Sequence, residues 1–180
     1  MKFSNTDFHL KTRVICALAV LIILFGLSAF YLNTKGRPER LFTDNYHPYE
    51  PQIMRGASHR SILKEAYTAG KMDSVIWEFK NLNSPIPEEY LLAGIAFLEK
   101  NQPEKAIETF KTLIQTNTNS KTDYFEDDAE YYLAMSYLSN QESEKAMPYF
   151  EKIKADPENR HYDDVSEWFI LNVKNSIVKK

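Results

Sequence analysis

The alternation of apolar and polar positions divides the chain into four stretches. Residues 1–13 are a short, mixed polar tail. From Val14 to Leu32 the run VICALAVLIILFGLSAFYL holds no charged side chain, and a helix of about 20 such residues spans the roughly 30 Å hydrocarbon layer of a membrane. Residues 33–57, NTKGRPERLFTDNYHPYEPQIMRGA, are rich in Pro and Gly and lack helical periodicity, so they read as a tether. Residues 58–180 carry apolar positions at helical spacing in paired segments. The expected fold is all-α: an N-terminal transmembrane helix (residues 14–32), then a stack of about three helical hairpins closed by a C-terminal capping helix.

The first apolar run reads as a retained anchor rather than a cleaved signal. A signal peptide has an apolar core of about 7–15 residues ending at small residues. This run is longer and ends in Ser28-Ala29-Phe30-Tyr31-Leu32, with aromatics where small residues should stand. Orientation is closely balanced, since Lys2, Lys11 and Arg13 precede the run and Lys35, Arg37 and Arg40 follow it. The amino group adds a further positive charge to the first flank, which points to a cytoplasmic tail and an extracytoplasmic, periplasmic repeat domain.

The paired segments repeat. Tyr90, Ala93, Gly94, Phe97, Ala106, Phe110 and Leu113 fall in EEYLLAGIAFLEKNQPEKAIETFKTLI, and Leu133, Ala134, Tyr137, Ala146, Phe150 and Ile153 follow the same order in AEYYLAMSYLSNQESEKAMPYFEKI. Gly94 and Ala134 are small enough for two helices to approach closely. Phe97 and Tyr137 plug the gap, and Ala106 and Ala146 accept the plug, so each unit is a helical hairpin. These residues resemble the tetratricopeptide repeat, whose period is about 34 residues. Here Ala106 and Ala146 are 40 apart, and the polar run Thr116-Asn117-Thr118-Asn119-Ser120 is the expected loop for the extra residues. Upstream, SILKEAYTAGKMDSVIWEFKNL reads as a degenerate first unit, with Val75 where the family has alanine. Downstream, Asp163–Ile170 echoes Asp127–Ala134 at an offset of 36 and begins the capping helix. Pro87 and Pro103, each followed by Glu, suit first helical turns. Pro148 falls about one turn inside a helix, which predicts a late helix start or a mild kink.

Composition narrows the function classes. Residues 1–40 hold six Lys/Arg and two acids, leaving 16 basic and 23 acidic groups and a net of −7 for the remainder. An acidic domain without a basic stripe does not suit nucleic acid, where binding rests on phosphate neutralisation. Cys16 is the single cysteine, so an intramolecular disulfide and a Cys-based zinc site are both excluded. His9, His47, His59 and His161 lack a second ligand at i+4 and read as solvated or packed imidazoles rather than metal ligands. Asp127-Asp128 and Asp163-Asp164 each open a predicted helix, where acids favour the dipole and adjacent side chains diverge, so they read as caps rather than an acid/base pair. No nucleophile elbow, phosphate loop, dinucleotide fingerprint or Cys-x-x-Cys is present. No enzyme activity, cofactor or metal is expected.

Phe97, Phe110, Tyr137, Phe150, Trp168 and Phe169 are expected in the core, because each hairpin buries one apolar face against its neighbour. The resemblance implies that the first helix of each hairpin lines an inner groove. Carried onto this chain, that face holds Leu91, Ile95 and Leu98, then Tyr131, Met135 and Leu138, with Arg60, Lys64 and Tyr67 from the first unit and Glu88 and Asp128 on the rims. Apolar residues on such a face call for a cover. A peptide or partner helix fits, and so do the tether, the capping helix or a second copy of the chain. Leu41-Phe42 and Tyr46-His47-Pro48-Tyr49 are apolar enough for the tether to dock, with the first hairpin as the nearest surface. That stretch is also similar to one following the span in some bacterial membrane-anchored repeat proteins. The function expected is a membrane-anchored scaffold for protein or peptide partners; the alternative is a regulatory membrane protein acting through a partner in the membrane.

Overall fold

The computed structural model describes residues 16, 18–28, 37–51 and 62–178, and the chain divides into two compact units, Met1–Lys35 and Gly36–Lys180. In the first unit, residues 18–28 are helical with exposed side chains. The remainder of the expected span Val14–Leu32 lies largely outside the described residues. Among the described residues, no helix is long and apolar enough to cross a membrane.

The described part of the second unit is all-helical: α1 (Pro38–Asn45), α2 (Ile62–Thr68), α3 (Met72–Asn81), α4 (Pro87–Glu99), α5 (Pro103–Ser120), α6 (Glu126–Ser139), α7 (Ser143–Ala155) and α8 (Glu167–Val178). From α2 onward each helix packs on the next, and α1 packs on α6 and α8. Three hairpins, α2/α3, α4/α5 and α6/α7, therefore precede the terminal helix. Their turns share one backbone device. The second residue beyond the first helix is left-handed in each: Gly70 (φ 69°), Asn101 (φ 53°) and Gln141 (φ 60°). That residue donates three positions back, to Tyr67, Leu98 and Leu138, and the next donates five back, to Ala66, Phe97 and Tyr137. Paired bonds of this kind satisfy the last carbonyls of a helix and reverse the chain. The first hairpin, degenerate in sequence, is thus closed by the same turn as the others.

Small residues set the spacing within hairpins. A Cβ added to Gly94 would lie 2.5 Å from Phe110 Cε1, so the α4 backbone rests directly on that ring. Ala134, at the matching place in α6, is fully buried, as are Ala106 and Ala146. Val75, in place of the family's alanine, is also fully buried.

Several boundaries differ from expectation. Thr116–Ser120 is not a loop: α5 runs through it to Ser120. The hydroxyls of Thr112, Thr116 and Thr118 donate to the carbonyls four residues back, and so stay within the helix. Buried Asn117 then fixes the exit, donating from Nδ2 to the Tyr124 carbonyl and accepting from the Thr122 hydroxyl. The extra residues lengthen a helix and its exit turn. α7 begins at Ser143, not late, and carries Pro148 in its interior; the buried Ser143 hydroxyl is hydrogen-bonded to that of Ser176 in α8, whose own proton goes to the Val173 carbonyl, and this pins the start. α8 begins at Glu167 rather than at Asp163, because the Ser166 hydroxyl caps it by accepting the Phe169 N–H at 3.1 Å. Trp168 is 56% exposed while Phe169 is buried, so only one of that aromatic pair belongs to the core.

The largest departure is in the tether. Pro38–Asn45 is a helix with Pro at its start and Glu39 in its first turn, a proper helix opening. Leu41 and Tyr49 are buried, and Phe42 and Tyr46 pack against the core. Residues 46–51 continue without helix.

Candidate functional site

Two of the hairpins' first helices, α2 and α6, present a row of tyrosines to residues 45–49, and α4 adds Glu99. Tyr131 Oη donates to the Asn45 carbonyl (3.3 Å), Tyr132 Oη to the His47 carbonyl (2.9 Å) and Tyr67 Oη to the Tyr49 carbonyl (2.8 Å). The bonded carbonyls alternate along the chain, at positions 45, 47 and 49, as an extended main chain presents them on one side. A fourth bond runs the other way, from Tyr46 Oη to Glu99 Oε1 at the end of α4 (2.8 Å). This segment together with α1, residues 38–51 and here called the strap, thus reaches all three hairpins rather than docking on the first alone.

Burial, above all, raises the hydroxyls of Tyr67, Tyr131 and Tyr132 well above the ordinary phenol value of 10.0. They therefore remain protonated donors. Tyr46 is raised by burial and by its bond to Glu99. The rings form a cluster: Tyr132 meets Tyr46 and Tyr49 edge-on at centroid distances of 6.2 and 6.5 Å and stacks on Phe110 at 6.1 Å. The Arg160 guanidinium lies over the Tyr49 ring, 5.4 Å from its centre.

Arg160 belongs to a turn held by α6. Asp127 accepts from Asn159 Nδ2 and from the Arg160 backbone N–H, both at 3.0 Å. Asp128, 3% exposed, takes Arg160 Nη1 at 3.1 Å and His161 Nε2 at 3.0 Å. Asp164 lies 2.7 Å from His161 Nδ1, and the imidazole stacks on Tyr131 with a 4.1 Å centroid distance and a 5° tilt. An imidazolium satisfies both carboxylates at once, whereas a neutral ring satisfies one. Asp127, Asp128 and Asp164 therefore clamp this turn. Asp127-Asp128 do open α6 as expected, while Asp163-Asp164 precede α8. The His161 contacts do not converge on a common point, since the carboxylates sit on opposite ring nitrogens, and neither nitrogen is left for a substrate proton. Among the described residues, no group of three or more His, Cys, Asp or Glu is arranged to hold a metal ion.

The residues expected on an open groove lie inside. Leu91, Ile95, Met135 and Leu138 are fully buried, Leu98 is 3% and Tyr131 2% exposed. All six belong to one continuous core with Leu41 and Tyr49 of the strap. They are not an apolar face awaiting a cover. Lys64 is on α2 and pairs with Glu88 of α4, and Arg60 lies outside the described residues. Sequence reasoning missed Tyr132, Glu99, Arg160 and His161. The doubled Tyr131-Tyr132 was the one available signal, because a buried phenol needs a partner for its hydroxyl; the partners, being main-chain carbonyls 80-odd residues away, leave no mark in the sequence.

No curated protein and no solved structure matches the chain. The tetratricopeptide repeat model matches residues 90–120 and 128–159. Those two matches coincide with α4/α5 and α6/α7, so the two central hairpins carry tetratricopeptide repeats.

Proposed function

We propose that this chain is a membrane-anchored scaffold that binds a protein partner through the inner face of its hairpin stack. Tetratricopeptide repeats at residues 90–159 speak for protein partners. The observation that carries the reading further is the row of tyrosine hydroxyls, which already grips a polypeptide by its main chain at three alternate carbonyls. A face able to hold one extended segment has the donors to hold another. The uncharged run Val14–Leu32 supports the anchor, which would confine the domain to one membrane surface and raise the local concentration of partners there. The flanking charges favour an extracytoplasmic domain.

Photo-crosslinking tests the scaffold: a photoreactive residue replacing Glu50, exposed on the strap beside the tyrosine row, should yield a discrete adduct with another protein in cells. Adducts confined to the chain itself would overturn the reading. Retention of the full chain in membranes washed at high pH tests the anchor separately, and its release would remove the anchor while leaving the scaffold.

A further inference from the structure

Resting on the scaffold reading, we propose that the strap is a built-in competitor for the partner site, and that the partner supplies an extended segment with two aromatic side chains three residues apart.

The strap shows what the site selects. Tyr46 and Tyr49 are the residues of its extended part that enter the aromatic cluster around Tyr132. Between them His47 and Pro48 are exposed, as is Glu50. The main chain is held through carbonyls, which every residue possesses, so the hydroxyl row is indifferent to sequence. Selection therefore falls on the two rings: one reaches Glu99 at 2.8 Å through a phenol hydroxyl, and the other meets Tyr132 edge-on and lies under the Arg160 guanidinium. An aromatic, two unrestricted residues and a second aromatic, in extended backbone, meet these demands.

The strap also has the form of a displaceable element. It is short, its main chain is held by hydroxyl-to-carbonyl bonds that any extended chain can reproduce, and it enters the core through Leu41 and Tyr49, with Phe42 and Tyr46 packed beside them, while Thr43, Asp44, His47, Pro48 and Glu50 are exposed. A short segment seated by two buried side chains opens at lower free energy than α4 and α6 beneath it, which are buried along most of their length. An intramolecular occupant has the advantage of a high effective concentration, so a partner must either bring several contacts or arrive already concentrated at the membrane.

The probe is a labelled synthetic peptide with the sequence of residues 37–51, offered to the full chain in detergent. In the variant Leu41→Asp/Tyr49→Ser, which unseats the strap without altering the tyrosine row, the peptide should bind at least about tenfold more tightly than to the wild type, as removal of a tethered competitor requires. Adding Tyr132→Phe to that variant should weaken binding by roughly three- to tenfold, the effect of one lost hydrogen bond, with no change in melting. A peptide carrying Ser at both aromatic positions should not bind. A folded variant that ignores the peptide, or a wild type that binds it equally well, overturns the proposal. Hydrogen exchange on the wild type decides the matter even if the variant fails to fold: α1 amides should exchange well before those of α4 and α6, and exchange of all three together would make the strap a permanent part of the core and refute the competitor. Peptide binding to the unseated variant without any cellular adduct would sink the scaffold reading alone; adducts without peptide binding would sink only this one.

Discussion

Gly94→Ala adds a single methyl group, and the structure says where it goes. The new Cβ would lie 2.5 Å from Phe110 Cε1 and 2.6 Å from Cζ, against a comfortable carbon separation of about 3.5–4.0 Å. The overlap is therefore about 1 Å. Phe110 cannot swing aside freely, since it is fully buried and stacked on Tyr132. Two effects compete. Alanine in a helix interior is favoured over glycine by about 1 kcal/mol, while forced overpacking of a filled core costs about 1–3 kcal/mol. The boxed-in ring puts the cost toward its upper end, leaving a net loss of about 1–2 kcal/mol. For a domain of this size that lowers Tm by about 3–8 °C. Thermal melting followed by circular dichroism measures it, and the double variant with Phe110→Leu isolates the cause. In the Phe110→Leu background the ring edge is gone, so Gly94→Ala should become neutral or stabilising, a coupling of about 1–3 kcal/mol. A rise in Tm for Gly94→Ala alone, or the same cost in both backgrounds, would refute the close approach.

Three further outcomes follow from the same structure. Lys121, left-handed at φ 54° where α5 ends, bears a strain that glycine relieves, so Lys121→Gly should stabilise by about 0.5–1 kcal/mol in chemical denaturation; Asn101→Gly should gain less, since asparagine tolerates that conformation. Ile95→Glu, aimed at a fully buried position, should cost upward of about 4 kcal/mol by stranding a charge in the core, and a variant that still unfolds cooperatively near the wild-type midpoint would mean that this face opens to solvent. Tyr67, Tyr131 and Tyr132 are raised above 10.0 in the folded state. Their contribution is intact below pH 10 and is lost above it, because the unfolded phenols ionise first, at about 1.4 kcal/mol per pH unit for each; phenolate absorbance should show these three releasing protons only together with unfolding, and their independent early ionisation would contradict the burial.

The hairpins were legible because their signals are local. Gly94, Ala106, Ala134 and Ala146 recur at helical spacing, and the resulting order of elements from α4 to α7 is the one observed. Val75 concealed nothing in the first unit, where the left-handed Gly70 makes the same turn as Asn101 and Gln141. What covers Leu91, Ile95 and Met135 stayed open between a partner and the tether, because the spacing of one helix carries no mark of a distant segment that returns to it; in the structure the strap lies there, reaching all three hairpins where docking on the first was expected. Pro38 contributed to the error, because proline marks both loops and helix starts, and here it starts α1. Asp163-Asp164 misled in a related way. They echo Asp127-Asp128 in sequence, yet Ser166 caps the helix and Asp164 holds His161.

A row of stacked hairpins is in principle a chain of nearest-neighbour couplings, and such a chain melts inward from its ends. The strap changes that topology. Bonds from Tyr131 and Tyr132 reach back 86 and 85 residues, and α1 packs on α8, the last helix of the row. The couplings therefore close into a ring, in which the terminal helix cannot peel away without also losing a contact made near the start of the unit. Hairpins assemble quickly from contacts between sequence neighbours, whereas joining the ring must overcome the entropy of a long loop. Closure is accordingly expected to come last in folding, and a closed ring that loses any one coupling reverts to an open chain with two free ends.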